Sequence, residues 1–207
     1  MRRSGLIAVL ILLPASLMPQ DPPRFRSGVS AAITFSKFSG EATENPRVQY
    51  GFGVGGFLGI GLTRHLAVQP EIQYVQKGAR FRTETTRSSL SLGYLQLPVV
   101  VQVRIPVSGR VTPHLYGGAA VAYRVDCRLG VTSGNSSVNQ PCSNLAEPPP
   151  RRWDSSAVFG AGADLGIFLV DVRFDLGLTR IGTTAGQEDI KNRTLYLMVG
   201  TGFGTAQ

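Results

Sequence analysis

The sequence predicts an all-β fold: an eight-stranded antiparallel up-and-down β-barrel that crosses a membrane. Three observations predict it. Eight segments alternate apolar and polar residues with a period of two, and the connections between them alternate long and short. No apolar run beyond the N-terminus approaches the roughly 20 residues of a membrane helix. Because successive side chains of a strand point to opposite faces, each segment has one greasy face and one polar face. A soluble sheet buries the greasy face, whereas a membrane barrel turns it toward lipid and keeps the polar face in the lumen.

The chain begins with Arg2 and Arg3 followed by the apolar run Leu6 to Leu17, the pattern of a secretory signal. Residues 1–20 are assigned to it, and 21–207 to the barrel. The first strand, Val29 to Ser36, sets Val29, Ala31, Ile33 and Phe35 against Ser30, Thr34 and Ser36. The second, Tyr50 to Leu62, sets Phe52, Val54, Leu58 and Ile60 against a row of glycines. In the third, Leu66 to Lys77, the polar face carries Gln69, Glu71, Gln73 and Lys77. The fourth, Tyr94 to Ile105, opposes five aliphatic residues to Gln96, Gln102 and Arg104. The fifth, Val111 to Arg124, places Thr112, His114, Tyr116 and Arg124 on its polar face. The sixth, Ser156 to Leu165, carries Asp164. The seventh, Val170 to Leu178, sets Val170, Val172, Phe174, Leu176 and Leu178 against Asp171, Arg173 and Asp175. The eighth runs from Arg193 to Phe203.

The connections alternate long and short, so short turns gather at one end and long loops at the other. That sorting suits an outer-membrane barrel with periplasmic turns and both termini in the periplasm. Pro70 and Pro98 break the pattern, because proline removes a ladder hydrogen bond and a closed barrel has no edge strand to hold it. Each is expected to mark a bulge or the membrane-boundary part of its strand.

The formal charge of +8 includes the two signal arginines. The remaining arginines are scattered, with no basic run or stacking platform, which argues against nucleic acid and for anionic lipid as the counter-ion. Gly51 to Gly56 fits G-x-G-x-x-G, but strand rather than helix follows it, so no dinucleotide site is expected and the glycines are read as making room in a crowded lumen. No cofactor and no metal site are expected, since His65 and His114, the two histidines, fall in different places.

Eight strands leave an interior just wide enough for side chains to fill. The polar faces deliver Glu71, Lys77, Arg104, Arg124, Asp164, Asp171, Arg173 and Asp175 to it, and buried charges require partners. A salt-bridged plug is therefore expected, with a narrow conducting path as the alternative. His114 lies toward the turn end, the wrong end for a lipid-modifying site at the outer rim, so catalysis is not expected. A soluble lipocalin-like barrel is the remaining alternative. Cys127 and Cys142 flank the longest loop of an exported chain and are expected to form a disulfide. Phe35, Phe52, Tyr74 and Tyr123 toward the loops, with Phe168 and Phe203 toward the turns, make two aromatic girdles. Arg80, Arg82, Arg87, Arg128, Arg151 and Arg152 would ring the outer rim, within reach of lipopolysaccharide phosphates.

Four stretches carry a family resemblance. Gln69-Pro70-Glu71-Ile72-Gln73-Tyr74-Val75-Gln76-Lys77-Gly78, Tyr94-Leu95-Gln96-Leu97-Pro98, Pro113-His114-Leu115-Tyr116-Gly117-Gly118, and Asp175 to Ile181 followed by Lys191-Asn192-Arg193 together resemble the PorT-like outer-membrane β-barrel proteins. Gln96 stands where that family commonly has an acidic residue, and Gly204 to Gln207 extend past its usual aromatic end. The resemblance implies an outer-membrane address, insertion by the barrel-assembly machinery, a monomer, and a structural, surface-interaction or secretion-accessory role. Loops on the outside leave room for a protein partner there.

Overall fold

The computed structural model describes residues 24–40, 47–82, 86–134, 136–144, 150–180 and 190–204. The signal segment assigned to residues 1–20 lies outside them. Among the described residues there are nine antiparallel strands: β1 (Arg24–Ser39), β2 (Arg47–Gly61), β3 (Leu66–Arg82), β4 (Thr86–Arg104), β5 (Val111–Ser133), β6 (Ser136–Pro141), β7 (Trp153–Leu165), β8 (Phe168–Gly177) and β9 (Lys191–Gly204). Eight of them close a ring in the order β1-β2-β3-β4-β5-β7-β8-β9, with β9 pairing back onto β1; β6 pairs with β5 alone and stands outside the ring.

The polarity is that of a membrane barrel. Val29, Ile33, Phe52, Val54, Ile72, Leu95, Leu97, Val99, Val101, Val170, Val172, Leu197 and Val199 are exposed, whereas Thr34, Gln73, Lys77, Gln96, Asp171, Arg173 and Asp175 are buried. On β4 the outward row is Val103, Val101, Val99, Leu97 and Leu95, and then it changes to Gly93, Ser91, Ser89 and Arg87. Its partner β3 changes at the same height, from Tyr74 to Gln76, Gly78, Arg80 and Arg82, since Tyr74 pairs with Leu95. From the Leu66–Val103 pair to the Tyr74–Leu95 pair the apolar face spans about 26 Å of strand. Tilted by about 40°, that gives about 20 Å of height, close to the hydrocarbon band of such barrels.

Above that level β3 and β4 do not give way to a loop. They run on as a paired hairpin to Arg82 and Thr86, and β5 and β6 extend this sheet to four strands. The expected long loop after the third strand is thus mostly strand, and most of the expected loop after the fifth is the β5–β6 hairpin. The extension is held by an apolar core that continues into the ring through Val75, Tyr94 and Tyr196. Phe38, Ala79, Leu92, Cys127 and Cys142 are buried together, with Phe81, Leu90 and Ile190 packed against them. Phe38 and Phe81 face each other at 6.3 Å between ring centres. This apolar cluster lies at the loop end of the lumen.

Two register shifts bend the ring, one in β2 between Val48 and Gly53 and one where Gly93 of β4 meets Asp126 and Tyr94 meets Arg124. The second leaves Val125 as the extra residue, so the inward face of β5 changes from even to odd numbers. Arg124 and the residues before it at even positions face the lumen, whereas Cys127 faces in above the bulge.

The prolines do not mark these bulges, which corrects that expectation. The β3–β4 ladder steps from Pro70–Val99 to Gln73–Gln96 without a change of register, and β2–β3 steps from Phe57–Glu71 to Ile60–Val68 likewise. In an antiparallel strand each residue directs its N–H and C=O at one neighbour only. Pro70 pairs with β4 and stands at the gap toward β2; Pro98 pairs with Ala120 of β5 and stands at the gap toward β3. The missing donor costs a local pair and leaves the register intact.

The β7–β8 connection is a two-residue turn closed by the Leu165–Phe168 pair, with Gly166 at φ 72°. A primed turn asks for positive φ at its first central residue, which glycine supplies without a side-chain clash.

Candidate functional site

The lumen is filled from strand faces that point inward, and its contacts cross the barrel. β3 and β8 stand four places apart in the ring of eight, so they face each other across its axis. Arg173 of β8 donates from Nη1 to Glu71 Oε2 and from Nη2 to Glu71 Oε1 of β3, both at 2.7 Å, a bidentate pair. Its Nε donates to the Tyr116 hydroxyl at 3.3 Å, and its guanidinium lies over the Tyr116 ring at 5.2 Å. Gln69 donates to Glu71 at 2.9 Å. One level higher, Asp175 accepts from Lys77 of β3 at 3.2 Å, from Gln96 at 2.8 Å and from the Tyr196 hydroxyl at 2.7 Å.

Toward the turns, His114 Nε2 lies 2.7 Å from Asp171 Oδ1, and His114 Nδ1 lies 3.9 Å from Asp164. Asp164 in turn pairs with Arg26 of β1. Toward the loops, Asn192 donates to Asp154 at 2.8 Å, and Ser36 shares a hydrogen bond with Thr194 at 3.1 Å. Small residues make the space: a side chain at Gly160 would occupy the place of the Tyr116 ring, and one at Gly162 that of the Asp171 carboxylate.

Of the eight charges expected in the lumen, Glu71 and Arg173 form one pair and Lys77 and Asp175 another. Asp171 and Asp164 flank His114. Arg124 instead reaches the loop end, donating to the Pro150 carbonyl at 2.9 Å, and Arg104 sits at the turn end across from His114. Neither joins the central pairs. Tyr116, read on the polar face of its strand, and Tyr196 join the plug, and residues that the sequence reading passed over complete it: Arg26, which falls before the first strand as read, Asp154 and Tyr94. Period-two parity extended by one turn of residues at each strand end would have found Arg26 and Asp154.

A cavity of about 20 Å³ lies at the turn side, bounded by Arg26, Glu71, His114, Asp171 and Arg173 among others. That is room for about one water molecule. Among the described residues no group of three His, Cys, Asp or Glu side chains is placed to hold a metal ion.

Cys127 and Cys142 are joined by a disulfide, with Cα atoms 5.4 Å apart and a sequence separation of 15. It ties β5 to the 3₁₀ turn Cys142–Asn144 that follows β6. Replacing both cysteines by serine is expected to loosen the extension by about 3 kcal/mol in the loop-closure account. Limited proteolysis of folded protein would show faster cutting near residues 134–150, while the barrel keeps its heat-modifiable gel shift. Unchanged proteolysis would mean that the apolar cluster alone holds the hairpin.

On the outer wall, aromatic rings mark the loop-side interface: Phe35 with Tyr50, Phe52 with Tyr74, and Tyr123 with Trp153 pack at 5.0 to 5.8 Å. Phe25, Phe168 and Phe203 are exposed at the turn side. Tyr50, Trp153 and Phe25 were not among the expected girdle residues. Arg80, Arg82, Arg87, Arg128, Arg151 and Arg152 all lie exposed on the loop side. Arg80 donates to Gln49 at 2.7 Å and lies over the Tyr50 ring at 5.7 Å. Arg128 pairs with Asp126 at 3.2 Å, and Arg152 donates to the Tyr123 hydroxyl at 3.1 Å.

A closed antiparallel ring, apolar outside and ion-paired inside, with aromatic rings at both rims, defines an integral membrane β-barrel protein. The chain belongs to the family described as outer membrane protein beta-barrel domain, whose model matches residues 19–182. It is a protein of the bacterial outer membrane. No curated protein matches it by sequence. Similar solved structures include Ail, the attachment invasion locus protein of Yersinia pestis, at 16% identity, covering 86% of this chain and 98% of that one, with a TM-score of 0.43. Neisserial surface protein A is 14% identical over 88% and 98% of the two chains, with a TM-score of 0.49. OprG from Pseudomonas aeruginosa is 11% identical over 90% and 98%, with a TM-score of 0.43.

Proposed function

We propose that the protein is a closed, non-catalytic barrel whose role, structural, surface-interacting or accessory to secretion, is exercised at its outer face rather than through its lumen. The observation that carries this reading is the filled interior. Bidentate Arg173–Glu71 and the Asp175 hub cross the barrel, and the apolar cluster around Phe38 and Leu92 covers the loop end. A conducting path would need these pairs broken, and removing one partner of a buried pair is costly, about 3–5 kcal/mol. The lipid-modifying alternative lacks support at the outer rim, since the buried histidine–aspartate pair lies at the turn end.

The four-stranded extension offers the natural contact surface for a protein partner, and the polar exposed strand β6 forms its border. The four PorT-like motifs favour the secretion-accessory version of this role. Closure of the ring through β1–β9 and β4–β5 leaves no unpaired edge within the membrane band, which supports a monomer once the barrel-assembly machinery has inserted residues 21–207 and the leader 1–20 is removed. Planar-bilayer recording of the purified barrel is expected to show no discrete conductance steps. Reproducible steps would replace this reading by the channel, and an altered lipid A mass spectrum on overexpression would replace it by the enzyme.

A further inference from the structure

Above the aromatic belt, β2, β3 and β4 place arginines directly opposite one another on the outward face. Arg47 of β2 pairs in register with Arg80 of β3, and two residues further on Arg82 of β3 pairs with Arg87 of β4. All four are exposed. Directly opposed side chains have Cβ atoms about 5 Å apart, and like charges in that position destabilise a sheet. Two such rungs in succession ask for an anion that offsets the repulsion. Among the described residues no carboxylate pairs with any of the four; Asp126, the acidic residue on the neighbouring part of β5, is engaged with Arg128. Glu84, between Arg82 and Arg87 in sequence, lies outside the described residues.

The height of the rungs selects the anion. The outward rows of β3 and β4 turn from aliphatic to polar at Tyr74 and Leu95, and Arg80 rests against Tyr50, which packs on Phe35 in the belt. The Arg80 backbone stands about 15 Å above the Tyr74–Leu95 pair, and its long stem leans back onto Tyr50, so the rungs lie above the hydrocarbon, in the layer of headgroups and their first sugars. Guanidinium binds phosphate oxygens with paired, charge-assisted hydrogen bonds. We propose that the Arg47–Arg80 and Arg82–Arg87 rungs form one binding site for the phosphates of an outer-leaflet glycolipid, with lipopolysaccharide as its occupant. The site rests on the membrane orientation and not on whether the lumen conducts. Arg47 enters it unforeseen. Arg128 is neutralised by Asp126 and Arg152 stands before β7, away from these three strands, so neither belongs to it; the partners of Arg80, Gln49 and Tyr50, carry no charge.

The test is retention of lipopolysaccharide by detergent-purified barrel after incubation with phosphatidylcholine vesicles containing it. Wild type is expected to retain lipopolysaccharide, and the variant with Arg47→Gln, Arg80→Gln, Arg82→Gln and Arg87→Gln to retain about tenfold less. Arg128→Gln should behave as wild type. Heat-modifiable mobility shows that each variant is folded. Enzymatically dephosphorylated lipopolysaccharide, offered to wild type, should be retained as poorly as the intact lipid is by the fourfold variant, which decides the matter even if that variant does not fold. Equal retention by the fourfold variant, or equal retention of the dephosphorylated lipid, would overturn the site. So would full displacement of the lipid by millimolar inorganic phosphate or a sulfated polysaccharide, which would reassign the rungs to a soluble anion. Conductance measured on the same preparations reports separately on the closed lumen.

Discussion

Arg173→Leu should cost the barrel about 3–5 kcal/mol, the penalty for stranding the other half of a buried ion pair. Arg173 is 2% exposed and spends both terminal nitrogens on Glu71. With leucine in its place the Glu71 carboxylate keeps, among the described residues, the Gln69 amide as its partner, beside a cavity with room for about one water molecule. The Tyr116 hydroxyl loses a donor as well. Urea titration of folding into detergent micelles, read by heat-modifiable mobility, should show the midpoint falling and the folded yield with it. Pairing Arg173→Leu with Glu71→Leu should recover much of the loss, because two apolar residues of similar size leave no charge behind. A variant that folds like wild type yet loses a transport phenotype would show that the pair gates a path instead of filling one.

The spacing of residues revealed the ring and concealed what stands above it, for one reason. Period-two alternation between aliphatic and polar residues is imposed by lipid, so it is readable only where lipid touches the wall. Between Leu66 and Tyr74 or between Leu95 and Val103 the two faces differ sharply. Beyond Tyr74 the outward face becomes Gln76, Gly78, Arg80 and Arg82, and the inward face becomes Ala79 and Phe81. The same strand continues, but its polarity now resembles that of any polar loop with a few apolar residues. The inward polar faces were legible in the same way, which is how Glu71, Lys77, Asp171, Arg173 and Asp175 could be assigned to the lumen. Their partners were not. Arg173 sits between two aspartates on its own strand, yet it bonds to Glu71 across the barrel axis, a choice fixed by ring order and stagger rather than by anything local. A single inserted residue at Val125 likewise reverses the parity that brings Cys127 inward, and nothing in the sequence announces it.

Asp175→Leu is expected to rival Arg173→Leu, again about 3–5 kcal/mol, since it removes the carboxylate that pairs with the buried Lys77 ammonium. Three donors from three other strands converge on Asp175 Oδ2, so β3, β4 and β9 are each joined to β8 through this atom. Asp175→Asn keeps an oxygen that can accept and should cost less; its own loss measures the charge, and the difference between the two variants measures the hydrogen bonds. Combining Asp175→Leu with Lys77→Met removes the stranded ammonium and should recover stability, while the Gln96 amide and Tyr196 hydroxyl remain unserved and keep the recovery partial. The same urea titration reads all four proteins. Arg173 and Asp175 lie two residues apart on one face, close enough for their charges to interact, so the variant carrying both leucines need not show the sum of the two losses. Recovery in both compensated pairs would establish that the charges of the lumen are kept for packing one another. Failure of the Lys77→Met compensation, with Glu71→Leu succeeding, would instead single out Lys77 as a group the barrel needs charged.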